Sequence, residues 1–242
     1  MTHQDREAFS NPPLDAETLG LLRNLDTCDI ANAIEATAIR LRNEGYTDAT
    51  IHCLFPELPP LVGYALPLRV RTADPPIEGL AYVDRVDWWE QFLAIPEPRV
   101  LVIEDEPGGA ASGSTLGDVH ANIYRALGCA GIVTNGAVRD LPALRRLGFP
   151  VFASHVSVSH AYAHVVAVGD PVTVGGLQVR TGDLLHGDGH GILSIPLKVA
   201  QVLPAIAVRQ KIEDEAIIAY CQATGFTVEG LKPLLVRGQK KK

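Results

Sequence analysis

Nothing in this chain of 242 residues invites a disulfide framework or a cysteine-based metal site. Its four cysteines, Cys28, Cys53, Cys129 and Cys221, stand far apart and form no C-x-x-C pair, so neither a zinc cage nor a redox motif is visible. No apolar run approaches the roughly 20 residues that a membrane-spanning helix needs. The opening stretch MTHQDREAFSNPP has no hydrophobic segment of secretory type. Basic residues are in deficit, 21 Lys and Arg against 28 Asp and Glu, for a net charge of −7. Arg237, Lys240, Lys241 and Lys242 fall in a tail without an acid, so the body of the chain is more acidic than the total. An acidic body lacks the positive field that a phosphate backbone requires. The expectation is a soluble, reduced, cytoplasmic protein with neither a nucleic-acid nor a membrane partner.

What is present is ordinary globular material, 47% hydrophobic and 20% charged. A chain this long buries roughly 70% or more of its unfolded surface and folds without staples. Residues 1–13 read as a flexible lead-in and 237–242 as a basic, solvated tail. Asp15 is placed to cap a short helix, and TCDIANAIEATAIR carries helical spacing with Thr27 as its expected N-cap. LVGYALPLRVRT reads as a strand and VDRVDWWEQFLAI as a helix. From residue 99 the rhythm sharpens: RVLVIED strand, PGGAASGSTLG loop, DVHANIYRALG helix, AGIVTNG strand, RDLPALRRLG helix, FPVFAS strand. Alternation with short connections predicts an α/β fold with a parallel portion of sheet. Beyond residue 165, short strands turn at Gly175-Gly176 and near Gly187 to Gly189, and a long helix over 197–222 is expected to bend at Pro204. No internal repeat or low-complexity linker divides 1–242, which reads as a single domain with N- and C-terminal helical extensions.

The chemistry concentrates after two of the strands. The glycine-rich PGGAASGSTLGD is neither G-x-G-x-x-G nor a P-loop, since Gly108 and Gly109 are adjacent and no lysine follows. It is either an anion cradle or a tight turn. Asp118 opens the following helix, where an acid also serves the helix dipole. Arg139-Asp140 opens the next helix, and there a cation opposes the dipole. A guanidinium at a strand end suits bidentate grip of a carboxylate. Asp140 supplies a hard oxygen of the kind magnesium accepts.

The run GSTLGDVHANIYRALGCAGIVTNGAVRDLPALRRLGFPVFAS resembles the RraA-like family, which includes the class II 4-hydroxy-4-methyl-2-oxoglutarate aldolases. Twenty residues separate Asp118 from Arg139-Asp140, as in the family's signature, and TGDLLHGDGHGILSIP resembles a second family segment. The resemblance implies a swivelling β/β/α sandwich assembled as a homotrimer or hexamer. It implies a metal-dependent lyase that acts on a 2-keto acid through a pyruvate enolate, as a 4-hydroxy-2-oxo acid aldolase, an oxaloacetate decarboxylase or both. By the same resemblance Asp140 would ligate Mg²⁺ or Mn²⁺ directly, and Asp118 would act through water. Arg139 would bind the keto acid and stabilise its enolate. Gly117 and the backbone amides of Val119 and His120 would help to hold the substrate carboxylate. An acid from a neighbouring subunit, with Glu213 and Glu215 as candidates by position, would assist.

The segment SHVSVSHAYAHVV departs from the family pattern. His160 and His164 are spaced as a helical metal pair, but no glutamate sits beside His160 and no third ligand is evident, so a structural or substrate-facing role competes. His155 belongs to the same segment. His186, Asp188 and His190 read as a wet hairpin turn or a pocket rim. Two rival functions remain. RraA-type regulators bind an RNA-degrading enzyme without chemistry, although a pure binder needs no intact Asp118, Arg139 and Asp140. Methyl transfer fits poorly, because its glycine-rich turn belongs after the first strand.

Overall fold

The computed structural model describes residues 14–76, 85–106 and 113–239. Its helices are α1 Ala16–Arg23, α2 Thr27–Thr37, α3 Arg85–Leu93, α4 Asp118–Ala126, α5 Leu141–Leu147, α6 Leu197–Ala200, α7 Leu203–Gln222 and α8 Val228–Gln239. Its strands are β1 His52–Cys53, β2 Leu61–Arg71, β3 Arg99–Asp105, β4 Ser114–Leu116, β5 Cys129–Val138, β6 Val151–Val156, β7 His164–Val168, β8 Val172–Val174, β9 Leu177–Val179, β10 Leu184–Asp188 and β11 Gly191–Ile195. The expected lead-in and the Pro107–Ser112 portion of the glycine-rich loop lie outside the described residues. The expected basic tail begins inside α8.

Nine strands form one sheet in the order β1-β6-β5-β3-β2-β10-β11, with β4 on the end of β5 and β7 on the end of β2. The centre, β2-β3-β5-β6, is parallel, as the alternating strand–helix pattern predicts. Both faces of this centre are covered, which explains why the VLVI of RVLVIED is a continuous apolar run rather than an alternating one. Leu101 and Ile103 of β3 join a core with Ile30, Phe92, Tyr124 and Leu144 from the helices. Val100 and Val102 point the other way, onto Val172, Val174, Leu177 and Val179 of the β8–β9 hairpin. Helices, large sheet and small sheet are therefore stacked as α/β/β layers, the sandwich that the resemblance implies. The hairpin turns through Gly175 and Gly176 at φ +53° and +73°, a left-handed pair that glycine adopts at low cost.

Two local expectations need correction. The N-cap of α2 is Asp26, and Thr27 is the first helical residue. The Thr27 hydroxyl is drawn instead to the His186 ring at 2.9 Å, and its amide donates to Asp188 Oδ2 at 2.8 Å. The segment 197–222 is not one bent helix but α6 and α7. Pro204 sits in the first turn of α7, where its missing N–H leaves no hydrogen bond unmade. No helix among the described residues is long and apolar enough to cross a membrane.

Candidate active site

Strand pairing brings the three acidic and basic candidates together. β4 runs parallel to the end of β5, with Leu116 opposite Val138, and the Arg139 amide donates to the Leu116 carbonyl at 2.9 Å. The residues that follow each strand, Gly117-Asp118 and Arg139-Asp140, thus meet at the carboxyl ends of the parallel strands, where ligands of open α/β sheets bind. Asp140 makes the strand-to-helix corner in the left-handed region at φ +58°, a conformation that aspartate tolerates better than most residues. Its Oδ2 accepts the Asp118 amide at 3.1 Å and Arg139 Nε at 3.3 Å.

Gly117 is needed here for space. A Cβ at this position would lie 2.7 Å from Asp140 Oδ2. The Asp118 amide first, then the charge and hydrogen bond of Arg139 and the charge of His160, hold the Asp140 carboxyl below the ordinary carboxylate range. Arg139 also donates from Nη1 to the Val158 carbonyl at 3.2 Å, and its Nη2 has no partner among the described residues.

The Val119 amide, expected to hold substrate, donates to Asp118 Oδ1 at 2.7 Å. His120, in the first turn of α4, meets His160 edge-on with ring centroids 6.1 Å apart. His160 itself lies in the turn between β6 and β7, so His160 and His164 are not a helical pair. Its Nδ1 lies 2.8 Å from the Ser114 carbonyl, which can only accept. Nδ1 therefore carries a proton in this contact.

The remaining histidines are elsewhere. His155 lies on β6 beside Ser154. His190 is exposed and pairs with Asp188. His186 is fully buried between Leu22 and Thr27, a dry core position rather than a wet turn. Glu213 and Glu215 are exposed on α7, which packs on α2.

Among the described residues no group of three or more His, Cys, Asp or Glu forms a ready cage. The donor set nonetheless fits a hard divalent ion, because magnesium keeps most of its waters and takes one or two carboxylates. Asp140 Oδ1 and Asp118 Oδ2 have no hydrogen-bond partner among the described residues. A feature that the sequence reading missed adjoins this site. A cavity of about 330 Å³ extends from His120 and His160 to Trp88, Trp89 and Tyr124. The adjacent tryptophans in DWWEQF are its only sequence signal.

Comparison with known proteins bears on the family. The family model described as RraA-like, Aldolase/RraA, matches residues 27–194. A protein of Halalkalibacterium halodurans named "Putative 4-hydroxy-4-methyl-2-oxoglutarate aldolase" is 32% identical over 120 residues, covering 48% of this chain and 55% of the relative. The chain thus spans about half the length of that curated relative. Among solved structures, an uncharacterized protein from Pseudomonas syringae pv. tomato superposes with a TM-score of 0.69 at 22% identity, covering 91% of this chain and 94% of that one. Streptomyces coelicolor RraAS2, described as an unusual member of the RNase ES inhibitor RraA protein family, gives 0.65 at 25% identity and covers 85% and 97%.

Proposed function

The chain belongs to the RraA-like family, and from that premise we propose that it is a divalent-metal-dependent lyase cleaving 2-keto acids through a pyruvate enolate. The observation that carries this reading is the convergence of Asp118, Arg139 and Asp140 on one carboxylate oxygen at the strand ends. A regulator that only binds another protein has no use for an ionised aspartate in a left-handed corner clipped to an arginine.

In the retro-aldol reaction the C4 hydroxyl gives up its proton and the C3–C4 bond breaks. The electron pair passes to C3, and protonation there yields pyruvate. Decarboxylation of oxaloacetate leaves the same enolate. Arg139 is fixed through Nε and Nη1, and its open Nη2 offers a directed donor to the keto acid's carboxylate and to the oxygen that gains charge. Asp140 and Asp118 would hold Mg²⁺ or Mn²⁺ through their open oxygens, Asp118 by way of water. The cation supplies positive charge at the carbonyl oxygen. His160, its Nδ1 held by the Ser114 carbonyl, stands beside Gly117 and is placed to exchange a proton through Nε2. The Val119 amide, already bound to Asp118, is dropped from the proposed substrate contacts. Val119 is itself exposed, and an active site works best shielded from water. A trimer or hexamer whose neighbouring subunit covers this edge completes the proposal.

The test is pyruvate release from a panel of 4-hydroxy-2-oxo acids and oxaloacetate, before and after chelation and with Mg²⁺ or Mn²⁺ restored. Chelation should abolish turnover and the cation should restore it. The likeness to RraAS2 favours the alternative, a non-catalytic regulator of an RNA-degrading enzyme, and silence across the panel with metal present would support that reading instead.

A further inference from the structure

The cavity beside the acid–arginine site has a composition that a bare keto acid does not explain. Its floor is the sheet, with Val70 of β2 and Ile103 of β3, and its wall is Trp88 and Trp89 of α3 with Tyr124 of α4. Trp88 stacks edge-on against Trp89 and Tyr124, with ring centroids 6.1 and 5.6 Å apart. These are the walls that planar apolar groups prefer. At about 330 Å³ the space is at the small end of ligand pockets and larger than a methyl or carboxymethyl group needs.

Polar groups of Thr115, His120, His160 and His164 share the lining. The indole N–H groups of Trp88 and Trp89 are shut away from water, and neither has a hydrogen-bond partner among the described residues. Trp88 as a whole is only 2% exposed. Neither nitrogen leaves room for a further atom at hydrogen-bond distance, so the cavity meets these rings through their apolar carbon surface rather than through their donors. The cavity also connects to the chemistry. His160 and His120 line it, and the His160 ring lies beside Gly117 and Asp140.

We propose that this cavity is the subsite for the C4 substituent of the substrate, and that it takes an aryl group. The proposal rests on the lyase reading above and names its substrate class: 4-aryl-4-hydroxy-2-oxobutanoates. In their cleavage the C4 hydroxyl loses its proton, the C3–C4 bond breaks and its electron pair passes to C3. C3 then takes up a proton to become the methyl of pyruvate, and C4 leaves as an aryl aldehyde. Atoms and electrons balance without a co-reactant. The aryl ring lies against Trp88 and Tyr124, and the keto-acid end reaches past the two imidazoles to Arg139.

Trp88 and Trp89 are the only two tryptophans in the chain, so intrinsic fluorescence reports this cavity alone. The wild-type protein with Mg²⁺ is titrated with 4-(4-hydroxyphenyl)-2-oxobutanoate, which lacks the C4 hydroxyl and cannot be cleaved, and with 2-oxobutanoate as the aliphatic control. A saturable change in tryptophan emission is expected for the aryl acid at concentrations at least about tenfold lower than for the control. Trp89→Phe, which shrinks the aromatic wall, should weaken aryl binding several-fold and lower the ratio of aryl to methyl kcat/KM by a similar factor. No emission response to the aryl acid, with pyruvate still released from 4-hydroxy-4-methyl-2-oxoglutarate, overturns the subsite and spares the lyase reading. A response sensitive to Trp89→Phe, with no substrate cleaved, supports the pocket and sinks the lyase reading.

Discussion

Replacing Gly117 by alanine tests the geometry of the site with a single methyl group. The backbone at Gly117 is extended, φ −131° and ψ −174°, so alanine meets no conformational strain. The obstacle is local: the new Cβ falls 2.7 Å from Asp140 Oδ2, while Arg139 Cγ at 3.5 Å and His160 Cε1 at 3.6 Å are in ordinary contact. Relief requires the carboxylate oxygen to retreat by about 0.7 Å, which stretches its hydrogen bonds to the Asp118 amide and Arg139 Nε. Asp140 is 30% exposed, so water replaces part of what is lost, and the stability cost should be about 1 kcal/mol. For a chain of this size that lowers Tm by roughly 2–4 °C. Activity should fall much further, by about 10²-fold in kcat/KM, because displacements approaching 1 Å in a catalytic constellation cost that much. Pyruvate release and thermal melts measure the two effects. In an Asp140→Ala background the Gly117→Ala change should cost little further stability, since the colliding oxygen is gone. Wild-type activity in Gly117→Ala, or an equal loss of stability in both backgrounds, would refute the reasoning.

Arg139→Lys keeps the charge but loses the planar fork, and kcat should drop by about 10²-fold or more while Tm stays near wild type; full activity, or unfolding, in this variant makes the residue structural. His186 predicts acid sensitivity. Burial pushes its pKa below the ordinary histidine value, against opposing hydrogen bonds and the charges of Asp188 and Asp26. The unfolded chain takes up this proton as pH falls through about 6.5 and the folded chain resists it, so the stabilisation is whole above that pH and is lost below it, at up to about 1.4 kcal/mol per pH unit. Urea unfolding at about pH 7.5 and about pH 5.5 checks this, and His186→Gln should flatten the slope between them.

Much of the fold around the site is legible in the sequence, for a physical reason. β3, β5 and β6 are short apolar runs punctuated by glycine and aspartate, and strands covered on both faces have little choice but to read that way. The helix start at Asp118 follows directly from such punctuation, whereas the helix expected from Arg139 begins at Leu141, with Asp140 as its N-cap and Arg139 ahead of it. What escapes the sequence depends on partners far along the chain. Thr27 looks like an N-cap until His186, 159 residues away, claims its hydroxyl. His160 and His164 have helical spacing, but the segment between β6 and β7 is a turn, so the spacing places nothing on one face. The aromatic cavity needs α3, α4 and the sheet together, and no local pattern announces it beyond two adjacent tryptophans.

The proposed metal site gives Asp140 two duties that mutation does not separate on its own. Its Oδ2 ties the start of α4 to Arg139, and its Oδ1, without a hydrogen-bond partner among the described residues, would be the oxygen offered to a cation. Asp140→Ala removes both, so an inactive alanine variant would say little about metal. Asp140→Asn is the sharper probe: asparagine accepts the left-handed conformation at φ +58° and retains an oxygen for the Asp118 amide, while the negative charge is lost. A site in which Asp140 only clips the helices together survives that change. A site in which the carboxylate holds a divalent ion fails, and raising the Mg²⁺ concentration should recover part of the lost rate, whereas the Arg139→Lys defect should not respond to metal at all.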